Sequence, residues 1–352
     1  MRDPGRQGVE ITKEAKPYVY SVFGLRLHTD VEIPGFVPLP VKPPFDVIVS
    51  LGRFPEFLSR SIPPDNQAIY ISAELGEKGG PSSRVWNIGN GDHIRVLYDD
   101  GTDCIVNRTG TQVWIMWASP YTVLDVVPYL QGPLLGLVQR LRGVTCLHAS
   151  SILIGERAIA VTGPRGSGKS STAAAFLQLG FTVLADDVVP VIEDAGQFMV
   201  RSAHPRLWLR PDMVKTLYGS SNALPQFAPS WEKRYLDLNA MGPGLPLDPK
   251  PLAAIYVLSA RRDDPNRPVV MEAAPHDVML GLLCNTYANH LLDAGMRAQE
   301  FAILSRIQRK VPVLLVHPHK DVSRISLLCQ AILEDVASRV PLVGEIRAPA
   351  IP

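Results

Sequence analysis

VTGPRGSGKSST, the stretch from Val161 to Thr172, decides the fold of this chain. It fits the phosphate-binding loop pattern GxxxxGK[ST] at every required position. The run before it, Arg157–Thr162, is apolar and typical of a β-strand, and the run after it, Ser170–Leu179, is rich in alanine and typical of a helix that ends at Gly180. Strand, glycine loop and helix therefore follow one another in the order that the pattern requires.

The residue types of this loop predict what it binds. Its glycines let the backbone curl so that successive N–H groups point at phosphate oxygens, and the helix N-terminus adds a partial positive charge. Lys169 would reach the β- and γ-phosphates of ATP, and the Ser170 hydroxyl would be a ligand of Mg²⁺. A plain glycine turn is the alternative, but it leaves the GKS tripeptide unexplained. The predicted nucleotide contacts in the loop are Gly163, Pro164, Arg165, Gly166, Ser167, Gly168, Lys169, Ser170 and Ser171.

Two adjacent carboxylates, Asp186 and Asp187, follow the loop within a predicted strand, Phe181–Pro190. Ligands of an open α/β sheet lie beyond the carboxyl ends of its strands, so we expect this pair to lie close to the loop. One carboxylate would hold Mg²⁺, and the other would accept a proton from an attacking hydroxyl. A solvated turn is the alternative, because Asp is common in turns. The preceding nucleotide loop favours the functional interpretation.

His148 stands before a predicted strand, Ala149–Ile154. We expect this strand to form a hairpin, through Gly155-Glu156, with the strand that leads into the loop. A single histidine is more often a structural residue than a catalytic one. Its spacing from the loop favours a catalytic role here.

These three elements together resemble the HPr kinase/phosphorylase family and its kinase-like relatives, over roughly residues 146–191. The resemblance implies a P-loop-containing, HPr-kinase-like (PEP-carboxykinase-like) α/β nucleotide core that uses ATP and Mg²⁺. By position, it implies that His148 lies near the transferred phosphate, that Lys169 and Ser170 hold nucleotide and metal, and that Asp187 activates a seryl hydroxyl. Asp186 remains an alternative for that base. The matching segments are His148-Ala149-Ser150, GPRGSGKSS and Ala185-Asp186-Asp187-Val188-Val189.

Two departures from the family's pattern bear on the acceptor. Ser171 follows the GKS tripeptide where the bifunctional enzymes usually have Glu, and the segment Arg201–Met213 contains no EIRGLG-like signature. The chain therefore looks more like the relatives that accompany lasso-peptide biosynthesis and phosphorylate a serine of a precursor peptide. The resemblance also implies a homo-oligomer, because the HPr enzymes are hexamers.

The segment after the carboxylate pair supplies further candidates. Phosphoryl transfer needs cations that neutralise developing charge, and we expect Lys233 and Arg234 to contact phosphate or substrate, with ordinary solvated charge as the alternative. Arg206 and Arg210 are weaker candidates, since the alternation in RLWLR is also typical of an exposed strand face. Asp212 would replace the missing magnesium ligand, although Pro211-Asp212 is equally typical of a helix start.

Composition and charge exclude several other classes of protein. The chain has 352 residues, 46% of them hydrophobic, and a formal net charge of +1, which gives no electrostatic case for binding nucleic acid or an anionic membrane. No apolar run reaches the roughly 18 residues of a membrane span, and the first residues lack a signal-peptide core, so we expect a cytoplasmic protein. Four scattered cysteines indicate free thiols: Cys104, Cys146, Cys284 and Cys329.

The pattern along the chain predicts three regions. Short alternating segments separated by turns predict an antiparallel β-rich domain over residues 1–120. Helical spacing interrupted by proline predicts a helical connection over residues 121–145, and residues 146–352 would form the P-loop kinase domain. Within that domain we expect a strand at Ala253–Arg262, with Arg267–Ala274 as its hairpin partner.

Two functions of different classes fit these residues. The first is an ATP- and Mg²⁺-dependent kinase that transfers the γ-phosphate to a hydroxyl, with a serine of a protein or peptide as the expected acceptor and a small molecule as an alternative. The second is a nucleotide-binding module that signals to a partner without transfer. The carboxylate pair and His148 favour the kinase, because a sensor needs no base for a hydroxyl.

Overall fold

The computed structural model describes residues 17–58, 62–76, 78–204, 206–238, 245–264 and 266–339. Contacts divide them into two units: one holds the residues up to Gly143 together with His290–Leu292, and the other holds the rest. Each unit contains an eight-stranded sheet. The predicted α/β class with an N-terminal β-rich region is therefore confirmed. Across the described ranges, no helix is long and apolar enough to cross a bilayer.

The first unit is built on a sheet with the strand order β1-β2-β3-β8-β7-β6-β5-β4. The sequence predicted an antiparallel domain, but the β2–β3 and β3–β8 pairings are parallel and the sheet is mixed. The proline-dense stretch between β2 and β3 replaces a tight turn, so the chain re-enters the sheet in the same direction. The strands are β1 Tyr18–Val22, β2 Leu25–Thr29, β3 Val47–Leu51, β4 Tyr70–Ile71, β5 Ser83–Ile88, β6 His93–Tyr98, β7 Asp103–Asn107 and β8 Gln112–Met116.

Helical residues follow this sheet and belong to the first unit. They comprise α1 (Val123–Tyr129), a π-helical turn (Leu130–Leu134) and α2 (Leu135–Leu141). A capping box between Thr122 and Asp125 starts α1. The predicted helical connection over residues 121–145 thus contains helix where expected, and its helical residues are grouped with the preceding sheet.

The second unit has the strand order β10-β9-β12-β13-β16-β18-β17, with β11 also paired to β9 and β10 paired to β16. A separate two-stranded ribbon is formed by β14 and β15. The strands are β9 Thr145–Ile154, β10 Arg157–Thr162, β11 Thr182–Ala185, β12 Val188–Asp194, β13 Gln197–Val200, β14 Arg206–Leu209, β15 Arg234–Asp237, β16 Lys250–Leu258, β17 Val270–Glu272 and β18 Val313–Val316. The helices are α3 Lys169–Gln178, α4 Pro211–Tyr218, α5 Pro275–Cys284, α6 Ala294–Lys310 and α7 Ile325–Arg339.

Three parallel strands of this unit set the position of the glycine loop. β10 pairs with β16, and β16 pairs with β18, all in the same direction. Their carboxyl ends therefore share one edge of the sheet, where the chain continues into the glycine loop and into the segments after Leu258 and Val316. The predicted hairpin of β9 and β10 is also present.

Two predicted pairings of the second unit differ from the structure. The predicted strand Phe181–Pro190 is divided into β11 and β12, which pair with successive parts of β9 and leave Asp186-Asp187 between them. β17 does not form a hairpin with β16. β17 pairs with β18 instead. β18 already lies beside β16, so β17 joins the sheet at the outer edge of β18.

Candidate active site

The glycine loop, Gly163–Gly168, joins β10 to α3 in a conformation that depends on glycine at both ends. Gly163 has φ 146° and Gly168 has φ 110°. A Cβ on Gly163 would lie 2.6 Å from the carbonyl oxygen of Leu258, and one on Gly168 would lie 2.8 Å from Nη2 of Arg261. The backbone angle disfavours a side chain at both positions, and at Gly163 the backbone of Leu258 also leaves no space for one.

Lys169 closes over this loop. Its side chain is buried, and its Nζ donates to the carbonyl oxygens of Gly163 (2.9 Å) and Pro164 (3.1 Å). Burial lowers the pKa of Lys169, while the charges of Asp187 and Asp186 act to raise it. The loop thus holds a desolvated cation against its own carbonyls, which favours the approach of an anion.

The register of β9 brings the carboxylate pair to the loop. Ser151 lies opposite Ala185 and His148 lies opposite Val188, so Asp186 and Asp187 face the intervening residues of β9. Side chains two residues apart on a strand point to one face, so His148 and Ser150 both reach this break.

Asp186 is held by two hydroxyl groups. Ser150 Oγ donates to its Oδ1 at 2.6 Å, and Ser170 Oγ donates to the same oxygen at 2.9 Å. Asp186 is only 4% exposed. Burial raises the pKa of its carboxyl, as does the neighbouring charge of Asp187, and the two hydroxyl groups offset this only in part. A buried carboxylate in this state would be stabilised by a cation.

Asp187 has a more open environment than its neighbour. Its side chain is 45% exposed, and its Oδ1 lies 3.3 Å from Nε2 of His148. Its φ is 69°, a left-handed conformation that Asp tolerates. Partial burial acts to raise the pKa of Asp187. The hydrogen bond and charge of His148, together with the charges of Lys233 and Lys169, act in the opposite direction and are stronger, so the pKa of Asp187 is lowered. Asp187 is therefore an ionised carboxylate that solvent can reach.

The two predicted cations, Lys233 and Arg234, differ in their relation to the carboxylate pair. Lys233 is exposed, and its charge acts on Asp186, Asp187 and Lys169. The guanidinium of Arg234 instead donates hydrogen bonds to the side chains of Gln226 and Asn222.

Asp212 opens α4 at the surface. Its carboxylate lies 3.5 Å from Nε of Arg210, and both side chains are exposed. The contacts of the described residues include none between Asp212 and Ser170 or Asp186. Its role as a magnesium ligand stays a prediction without a contact to support it.

Several residues near this site carried no functional prediction. The Arg261 guanidinium donates to the carbonyl oxygens of Ser167 (3.1 Å) and His319 (2.9 Å). Its signal in the sequence is its position just after a strand, β16, that neighbours β10. The Tyr287 hydroxyl lies 3.5 Å from Oδ2 of Asp187, and no spacing in the sequence points to it.

A divalent cation would find two oxygen ligands here, in the hydroxyl of Ser170 and the carboxylate of Asp186. Both groups already meet at 2.9 Å. Within the part of the chain that the structure describes, no group of three or more His, Cys, Asp or Glu side chains is arranged to hold a metal. Mg²⁺ is usually held by one or two carboxylates together with substrate phosphates and water, so this donor set fits it.

The buried hydroxyl of Ser167 provides a second test of fit, for phosphate. Its Oγ has no hydrogen-bond partner, and it lies in the glycine loop two residues before Lys169. A buried hydroxyl without a partner is costly, and a phosphate oxygen would satisfy it. The loop residues therefore fit a polyphosphate.

Comparison with known proteins gives limited similarity. No family model matches the chain, and no curated protein matches it. Among solved structures that match, the Hpr(Ser) kinase/phosphatase from Coxiella burnetii aligns with a TM-score of 0.33 and 14% sequence identity, over 55% of this chain and 91% of that chain. This match is a distant similarity in structure.

Proposed function

We propose that this chain is an ATP- and Mg²⁺-dependent kinase that transfers the γ-phosphate of ATP to a serine hydroxyl of a protein or peptide. Residues 146–352 would form its P-loop, HPr-kinase-like domain. The observation that carries the proposal is the contact between His148 and Asp187 at 3.3 Å. The charges of Asp187 and Asp186 also act on Lys169 of the neighbouring glycine loop. A site for nucleotide binding alone has no need of a second, solvent-accessible carboxylate.

The two carboxylates differ in a way that suggests separate roles. Asp186 is buried between Ser150 and Ser170, which suits a group that holds Mg²⁺ together with the Ser170 hydroxyl. Asp187 is accessible and ionised, which suits a group that receives the acceptor hydroxyl. Mg²⁺ would supply neutralisation of the charge that develops on the phosphate oxygens.

The reaction uses Asp187 to orient the acceptor. The acceptor oxygen forms a bond to the γ-phosphorus while the bond from that phosphorus to the β,γ-bridging oxygen breaks. The electron pair of that bond stays on ADP, and the hydroxyl proton passes to the Asp187 carboxylate. A carboxylate with a lowered pKa is a weak base, and this is sufficient because proton transfer is late in a loose phosphoryl-transfer transition state. Lys169 and the loop N–H groups would hold the phosphates in place.

A label-transfer experiment tests the proposal. The purified chain is incubated with γ-labelled ATP, Mg²⁺ and a library of serine-containing peptides and proteins, and phosphoserine is identified by mass spectrometry. We expect label on serine with the wild type and none with Lys169→Met. Binding of ATP without label on any acceptor would contradict the kinase and favour a nucleotide sensor, and label on a small molecule only would contradict the peptide acceptor.

A further inference from the structure

The ribbon of β14 and β15 has two faces of different character. Leu207, Leu209 and Leu236 lie on one face and are buried in the core of the second unit. The opposite face carries the aromatic cluster. This cluster is defined as four half-buried rings whose centroids lie 5.5 to 6.5 Å from one another in the contacting pairs: Trp208, Phe227, Trp231 and Tyr235.

Arg206 lies beneath this cluster with its charge only partly compensated. It is 5% exposed, and its guanidinium carbon lies 4.2 Å from the ring centre of Phe227 and 5.0 Å from that of Tyr235. Its Nε and Nη1 have no hydrogen-bond partner. The charge of Asp237, opposite it on β15, acts on Arg206 without satisfying these two nitrogens.

Stacking on aromatic rings does not remove the need for an acceptor. Rings cover the faces of a guanidinium, whereas its N–H groups point outward in its plane. A buried donor without a partner is costly, and more so when it is charged. Nε and Nη1 lie on different edges of the guanidinium, so an anion that reached Arg206 would satisfy one of these unused donors. Each of the two edges, shared with Nη2, has the fork geometry that matches a planar carboxylate group.

The ribbon begins next to the proposed catalytic base. The backbone N–H of Ala203 donates to the carbonyl oxygen of Leu184 (2.8 Å), two residues before Asp186. His204 follows, is 3% exposed, and is influenced by the charges of both Arg206 and Asp187. Its carbonyl oxygen accepts from the Arg206 N–H at 2.9 Å. A segment bound to Arg206 would thus lie close to Asp187.

We propose that Arg206 and the aromatic cluster bind a carboxylate of the acceptor peptide, next to the serine that is phosphorylated. The inference rests on the proposed function and adds a preference for acidic acceptors. Phe227 lies in the loop between α4 and β15, and its ring covers a face of the Arg206 guanidinium, so the ligand would approach along an edge. The carboxylate can belong to Asp or Glu or to the C-terminus of the acceptor.

Paired peptides test this site. Short peptides with one serine carry a single Glu, or Gln, at each position in turn, and a further pair of neutral peptides ends in a carboxylate or an amide. Binding is measured by the fluorescence of Trp208 and Trp231, with Trp208→Phe to assign the signal. Wild type, Arg206→Met and Arg309→Met are compared; Arg309 is the matched control because it is an exposed arginine on α6 that is not among the proposed site residues.

We expect the wild type to bind at least one carboxylate peptide about tenfold more tightly than its amide partner. Arg206→Met should abolish this difference, and Arg309→Met should retain it. A preference for the C-terminal pair or for an internal Glu identifies the source of the carboxylate. No difference between partners in the wild type would overturn the inference, as would an unchanged difference in Arg206→Met. If Arg206→Met does not fold, the wild-type comparison still decides, and Arg206→Lys tests the need for the guanidinium.

Label transfer with the same peptides separates this inference from the proposed function. Carboxylate-dependent binding without phosphoserine contradicts the kinase and leaves the anion site standing. Phosphoserine formed without any carboxylate preference contradicts the anion site and leaves the kinase standing.

Discussion

The Nε2 atom of His148 lies 3.3 Å from Oδ1 of Asp187, across the break between β11 and β12. This contact joins a residue from before the glycine loop to one from after it. It also lowers the pKa of Asp187 against the opposing effect of burial. The histidine therefore has a specific expected role, which is to keep the proposed base ionised and oriented.

Replacing His148 with Gln should shift the pH dependence of phosphate transfer. The wild-type contact lowers the pKa of Asp187, so its loss lets that pKa rise. A base must be unprotonated to act, and the acidic limb of the kcat profile should therefore move to higher pH. A profile measured from pH 4 to 8 checks this. An unchanged limb, or a shift to lower pH, would contradict the assigned role.

Replacing Lys169 with Met should weaken ATP binding by about 10- to 100-fold, the range expected when charge-assisted hydrogen bonds to phosphate are lost. Titration calorimetry in the presence of Mg²⁺ measures it. Lys215→Met is the matched control, because Lys215 is an exposed lysine on α4 and its loss changes the net charge equally. Equal affinity in the two variants would remove Lys169 from the nucleotide site.

Replacing Asp186 with Asn should stabilise the fold at neutral pH. The same substitution should impair phosphate transfer. The pKa of Asp186 is raised in the folded state, so ionisation at pH 7 costs folding free energy, and Asn removes that cost while its Oδ1 can still accept from Ser150 and Ser170. The difference in free energy of unfolding between Asp186→Asn and wild type should shrink as the pH falls through the raised pKa of Asp186. It should be absent below about pH 4, where the carboxyl is also protonated in the unfolded state.

Urea unfolding at pH 7 and at acidic pH tests this. A lower free energy of unfolding for Asp186→Asn than for wild type at pH 7 would show that the carboxylate stabilises the fold instead.

Replacing Gly163 with Ala should destabilise the second unit more than replacing Gly166 with Ala does. Both residues have positive φ, but a Cβ at Gly163 meets the Leu258 carbonyl at 2.6 Å and a Cβ at Gly166 meets nothing within 4 Å. We expect a loss of about 1 kcal/mol for Gly166→Ala from backbone strain alone, and clearly more for Gly163→Ala because backbone must move. Thermal unfolding of both variants checks the order. Equal losses would mean that the loop relaxes freely at Gly163.

Local patterns in the sequence predicted the centre of the second unit well. The strand before Gly163, the helix after Gly168 and the hairpin of β9 with β10 all depend on residues that are close in sequence, where periodicity and turn chemistry are informative. The family resemblance implied that His148 lies near the transferred phosphate; its contact with Asp187 follows from the register of β9.

Long-range pairing could not be predicted in the same way. β17 was assigned to β16 because the two are neighbours in sequence, but β18, which arrives after two helices, lies between them. Arg206 was a weaker candidate for a phosphate or substrate contact, with an exposed strand face as the alternative. It is buried, because Phe227 and Tyr235 cover it. Tyr287 comes from a distant segment whose local sequence gives no sign of the site, and Arg261 is marked only by its position just after β16.

The comparison of wild type with Asp187→Asn in phosphate transfer tests the central claim most directly. Asn tolerates the left-handed backbone at this position, so the substitution removes the charge without adding strain. With γ-labelled ATP, Mg²⁺ and an acceptor that the wild type phosphorylates, we predict that transfer falls by about a hundredfold or more while ATP affinity is retained. Transfer by Asp187→Asn at a rate close to that of the wild type would contradict the account.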